Sequence, residues 1–101
     1  MIRIAVPYRR DGTVLNPFEH AWMVKLYDTE GSRILRSEVV CCRGAVHSLL
    51  VGLLSARHVD RILCDQISDG TRRAAAKAGI PVTEHLPGEA DAIVKAYCEN
   101  H

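Results

Sequence analysis

A chain of 101 residues carrying 13 basic and 12 acidic side chains has a formal net charge of +1, with 48% hydrophobic and 25% charged residues. That length predicts one domain over residues 1–101, with a core of its own and no need of disulfide staples; the near-cancelling charge excludes the broad basic footprint of a nucleic-acid or anionic-membrane binder. No apolar run reaches the roughly 18 residues of a membrane span, and the opening MIRIAVPYRR lacks a signal peptide's apolar core, so the expected setting is cytoplasmic and the four cysteines are expected as thiols or ligands.

Ile2, Ile4 and Val6 alternate with Arg3 and Ala5 and predict a first strand ended by Pro7. Tyr8 to Phe18 holds Asp11-Gly12 and Asn16-Pro17, two turn signals, and predicts a loop with a short extended piece at Thr13 to Leu15. Strands are predicted at Ala21–Tyr27 and Arg33–Val40, joined as a hairpin through Asp28-Thr29-Glu30-Gly31. The first helix places Val46, Leu49, Leu50, Leu53 and Leu54 at helical spacing. A short strand at Asp60–Cys64 follows, then a helix capped by Ser68 or Asp69 and stopped by Gly79. Ile80–Thr83 is a last strand, at an edge because of Pro81. The final helix starts near Gly88 and buries Ala90, Ile93, Val94, Tyr97 and Cys98.

The order β-β-β-α-β-α-β-α predicts an antiparallel three-strand meander followed by right-handed β-α-β units, a mixed five-stranded α/β sheet with helices on its faces. In that topology the ends of strands one, three and four and the start of strand two share one rim. The rim collects the Tyr8–Phe18 loop, His20, Cys41, Cys42, His47, the loop Asp65-Gln66-Ile67-Ser68 and the N-termini of two helices, and ligands of open α/β sheets bind at such carboxyl ends. Thiols and imidazoles are soft donors for metals, and helix N-termini attract anions. Cys41 and Cys42, as neighbours, point to opposite faces while the chain remains a strand, and both reach one metal only where it has turned. Cys64 reads as core and Cys98 carries no assigned role. Trp22 reads equally as core or as the border of a rim pocket. Arg9-Arg10 and Arg73 read as solvated, and Arg72, near a helix start, as a partner for an anion. The exposed edge of the hairpin is a route to a homo-oligomer.

The segments Ile4-Ala5-Val6-Pro7, Phe18-x-x-Ala21, Leu26-Tyr27-Asp28, His47-x-x-Leu50-x-x-Leu53-Leu54, Asp60-Arg61-Ile62-Leu63-Cys64, Ile67-x-x-Gly70 and Ala78-Gly79-Ile80-x-Val82 together resemble the dinitrogenase iron–molybdenum cofactor biosynthesis family over nearly the whole chain. The resemblance implies a ribonuclease-H-like fold and the non-enzymatic binding, carriage or assembly of an iron–sulfur or molybdenum–iron–sulfur cluster, with cluster-assembly or acceptor proteins as partners. It implies His47 as a ligand position, to which this chain's own rim adds Cys42, Cys41 and His20 as further candidate ligands, with Gly44, Ser68, Gly70 and Phe18 expected around the cluster.

Two departures accompany it. The family loop commonly reads His-Phe-Gly where this chain has Pro17-Phe18-Glu19, and the family favours Gly-Gly where this chain has Asp65-Gln66. Glycines let backbone approach a bulky ligand, whereas side chains crowd it; the alternative expectation is therefore an interaction or scaffold domain of the same fold that has lost the cluster. Asp65, Asp69 and Glu19 do not make a Mg²⁺-dependent nuclease, because that chemistry requires acidic residues on the first strand and Ile2–Val6 supplies none.

Overall fold

The computed structural model describes residues 1–14, 18, 23–42 and 47–100, with the side chains of His47 and Ser48 outside that description. Strands β1 (Ile2–Tyr8), β2 (Met23–Glu30) and β3 (Arg33–Cys41) are followed by α1 (His47–Ala56), β4 (Arg61–Leu63), α2 (Asp69–Lys77), β5 (Val82–Thr83) and α3 (Ala90–Asn100). Among the described residues these strands form one sheet in the order β3-β2-β1-β4-β5. β2 is antiparallel to both β1 and β3, while β4 is parallel to β1 and β5. The expected meander and parallel units are both present, with the switch in strand order between β1 and β4.

β1 is central, so both of its faces are buried and its middle reads as a continuous apolar run. On one face Ala5, Val24, Leu26 and Ile62 meet Leu50, Val51 and Leu54 of α1 and Ala75 of α2; on the other, Ile4, Val6, Tyr27 and Leu63 meet Ala90, Val94 and Cys98 of α3. The second core is closed by Asp91, whose carboxylate accepts from the Tyr27 hydroxyl at 2.5 Å and from Lys25 Nζ at 2.8 Å. No helix among the described residues is long and apolar enough to cross a membrane.

Three local expectations shift. β1 continues through Pro7 to Tyr8, because its ladder to β4 ends at Ala5 and the strand goes on with β2 alone. β2 runs to Glu30, past the expected turn. Its polar end is stabilised as strand by Asp28, which pairs with Arg3 at 2.7 Å and Arg36 at 3.3 Å, and by the Thr29 hydroxyl, which donates to the Ile2 carbonyl at 3.3 Å. The turn is then Gly31-Ser32, with Gly31 at φ +59°. In α1, Leu49 is 64% exposed, and the buried face runs through Leu50, Val51 and Leu54. The helix HSLLVGLLSA is apolar nearly all round, so its spacing fits more than one face and the packing of sheet and α2 selects among them.

α1 and α2 terminate by the same device. Val59 N–H reaches back to Leu54 O at 3.1 Å with His58 at φ +59°, and Ile80 N–H reaches back to Ala75 O at 2.9 Å with Gly79 at φ +76°. Isolated bridges Tyr8↔Val14 and Thr13↔Glu89 supply the Thr13-Val14 part of the expected extended piece of the first loop, Leu15 lying outside the described residues. That loop is fastened to the start of α3 by Val14 N–H to Gly88 O at 2.8 Å and Ala90 N–H to Gly12 O at 2.9 Å.

Candidate functional site

The pairing register brings the expected rim together. Tyr8 is opposite Met23, and Met23 is opposite Cys41, so the end of β1, the start of β2 and the end of β3 form one row. Directly opposed residues in antiparallel ladders share a face, and this row lies on the α3 side of the sheet with Lys25 and Tyr27. Lys25 Nζ stands 5.3 Å from the Tyr8 ring centroid and 5.2 Å from that of Tyr27, close enough for a cation–π attraction. Met23 was not singled out from the chain alone: counting back from the Gly31 turn sets it against Val40, and the bulge at Asp28/Thr29 shifts the register by one residue to Cys41.

The adjacent cysteines occupy different environments. Cys41 is the last residue of β3 and its side chain is exposed; Cys42 is 5% exposed and belongs to the core on the α1 and α2 face, with Phe18 and Cys64. Burial pushes the Cys42 thiol above its ordinary pKa, and the neighbouring Cys41 adds to the rise. A metal takes a thiolate, so a buried and protonated thiol is a poor ready-made donor, whereas the surface thiol of Cys41 is accessible. Cys64 and Cys98 are both buried, Cys64 being core as expected.

Phe18 is fully buried, and its N–H donates to the Gln66 carbonyl at 2.8 Å, which fastens the first loop to the loop after β4. Asp65 O in turn accepts from His85 N–H at 3.0 Å. The Asp65-Gln66 pair, standing where the family favours glycines, is thus held at the backbone from both sides. At the head of α2, Ser68 is the N-cap: its hydroxyl accepts from Thr71 N–H at 3.3 Å and lies 3.0 Å from the Thr71 hydroxyl. Asp69 is the first helical residue and Gly70 the next. Arg72 pairs with Asp69 and, at 2.7 Å, with Glu84, whose carboxyl it holds below the usual range. The anions found at Arg72 are therefore two of the chain's own carboxylates.

His20 and Gly44, like Pro17, Glu19 and Trp22, lie outside the described residues, as does the side chain of His47; the backbone places His47 as the first residue of α1. Among the described residues no three histidine, cysteine, aspartate or glutamate side chains gather into a metal-holding group. The described part of the rim thus offers one accessible thiol, a neighbouring thioether, and two helix starts, of which that of α2 is capped from within.

The folded chain superposes on several solved structures at identities that establish likeness of fold alone. PH0822 matches with a TM-score of 0.92 at 22% identity, over 98% of this chain and 90% of that one. The mj0327 protein of Methanocaldococcus jannaschii matches with a TM-score of 0.80 at 15% identity, covering 98% and 89%. The apo form of the orange protein from Desulfovibrio gigas gives 0.77 at 21% identity, covering 99% and 86%. No curated protein matches the sequence. The family model described as dinitrogenase iron-molybdenum cofactor matches residues 1–100, and with that extent of agreement the chain belongs to the dinitrogenase iron-molybdenum cofactor family.

Proposed function

We propose that the protein binds and carries an iron–sulfur or molybdenum–iron–sulfur cluster at the rim where β1, β3 and β4 end, without catalysing a reaction on it. The cluster is cargo, handed on to cluster-assembly or acceptor proteins. The observation that carries the reading is the exposed Cys41 thiol at the end of β3, in one row with Met23 and Tyr8; the family match over residues 1–100 supports it. In this reading Cys41 supplies the thiolate, and His47 and His20 supply imidazole donors. Thiolate and imidazole suit iron and sulfide-rich clusters. Phe18, Gly44, Ser68 and Gly70 remain the expected surroundings of the cargo, Phe18 as a buried support beneath the rim. Cys42 becomes a ligand only if binding draws it out of the core and takes its proton, which makes its affinity rise with pH.

The test is anaerobic reconstitution with iron and sulfide, read by visible absorbance and metal content. A coloured product with stoichiometric iron, reduced severalfold in Cys41→Ser and in His47→Ala, is the expected result. A colourless, metal-free product from the folded protein overturns it. The burial of Cys42 and the side chains at Asp65 and Gln66 favour a second reading, an interaction domain of the same fold that has lost the cluster. Metal-free protein that resists reconstitution selects that reading.

A further inference from the structure

The sheet has two edges of unequal kind. β5 is two residues long, whereas β3 is nine residues long and edges the sheet with Ile34, Leu35 and Val39 exposed at 38%, 44% and 46%. A long edge with apolar side chains is a template for pairing with another strand. Its cross-strand partners sort its side chains by face: Ser37 and Val39 lie opposite Tyr27 and Lys25, and Arg36 and Glu38 lie opposite Asp28 and Leu26. One face of the edge is therefore neutral at Val39 and Ser37, and the other carries a positive and a negative charge at Arg36 and Glu38; Leu35, the extra residue of a bulge, has no cross-strand partner.

We propose that β3 pairs antiparallel with β3 of a second copy, about a two-fold axis at Ser37, giving a dimer with a continuous sheet. Charge complementarity selects both the occupant and the register. With the axis at Ser37, each Arg36 faces Glu38 of the second copy. A two-fold perpendicular to the sheet keeps each face with itself, so the nearest alternative registers shift the axis by one residue. An axis at Arg36 opposes two guanidinium groups, and an axis at Glu38 opposes two carboxylates; like charges directly opposite are destabilising. The paired charges extend contacts each chain already has, since Arg36 sits 3.3 Å from Asp28 and Glu38 sits 3.6 Å from Arg57. The bulge at Asp28/Thr29, with Leu35 as its extra residue, bounds the flat part of the edge on the turn side of Arg36. The pairing stands apart from the cluster reading and does not depend on it.

The test uses the full chain and two charge variants, Arg36→Glu and Glu38→Arg, followed by sedimentation equilibrium across a dilution series. Circular dichroism establishes that each variant is folded. The wild-type protein is expected to reach twice the 11.2 kDa of one chain. Each variant alone carries like charges across the axis and is expected to self-associate roughly tenfold more weakly or worse. An equimolar mixture, in which one edge is all acidic and the other all basic, is expected to recover the dimer. A wild-type protein that stays at one chain's mass throughout, a dimer indifferent to both substitutions, or a mixture that fails to re-associate each overturns the proposal.

Discussion

At the border where β1 and β4 begin, the chain is tied to itself at almost every turn. Arg3 pairs with Asp28 and donates to the Arg57 carbonyl at 2.7 Å; its own N–H donates to the Asp60 carboxylate at 2.8 Å, and its carbonyl accepts from Asp60 N–H at 2.8 Å. Gly31, His58 and Gly79 close the three turns of that border at positive φ. Among the described residues the opposite rim, where β1, β3 and β4 end, is joined by the Phe18–Gln66 and His85–Asp65 backbone bonds and the capped head of α2, and it leaves Cys41 at the surface. One border uses its polar groups to fix the fold, while the other presents an exposed thiol. A site that must accept a ligand is best placed where stability does not depend on the same groups.

The sharpest break in that comparison is chemical. Cys41 is expected to react with a thiol reagent roughly a hundredfold faster than Cys42, because a buried thiol of raised pKa reacts only after local opening. The fast labelling phase should vanish in Cys41→Ser and persist in Cys42→Ser; equal rates would place both thiols at the rim. The other border is probed by Asp28→Asn, which removes the carboxylate from a nearly buried pair with Arg3 and is expected to cost about 2 kcal/mol in urea unfolding. Arg3 holds the Asp28 carboxyl below its ordinary pKa, with Arg36 adding to it. A lowered folded pKa contributes stability that is present above the unfolded value of about 4 and disappears as pH falls through the folded one. The gap between wild type and Asp28→Asn should therefore be full at neutral pH and narrow on acidification below about pH 4.

The smallest effects compare the two helix ends. A Cβ at Gly79 meets nothing within 4 Å, so Gly79→Ala tests backbone strain alone and is expected to lose about 1 kcal/mol. His58 occupies the equivalent place after α1 with a side chain, and His58→Gly is expected to gain about 0.5 kcal/mol, since the unfolded chain's added freedom offsets part of the relief. Thermal unfolding of the two variants should move in opposite directions. If His58→Gly is destabilising, the histidine side chain holds that border by a contact of its own.

Much of the architecture was legible in the residues themselves. Alternation at Ile2 to Val6, the turn at Gly31, the Ser68 cap, Gly79 and Pro81 each act within a few positions, so element order and topology followed from local signals. The strand end at Asp28–Glu30 misled for the same reason: its polar residues look like a turn until Arg3, far away in the chain, supplies the countercharge. The α1 face was equally out of reach, because an all-round apolar helix takes its orientation from what it packs against.

For the site, the chain by itself determined the family and the strand ends that share one rim. Only the tertiary structure decided that Cys41 stands at the surface beside Met23 while Cys42 is enclosed with Phe18 and Cys64. Two adjacent, chemically identical residues carry no local mark that separates them. Burial is a property of the neighbours the fold brings in, and it divides an accessible thiol from a core one.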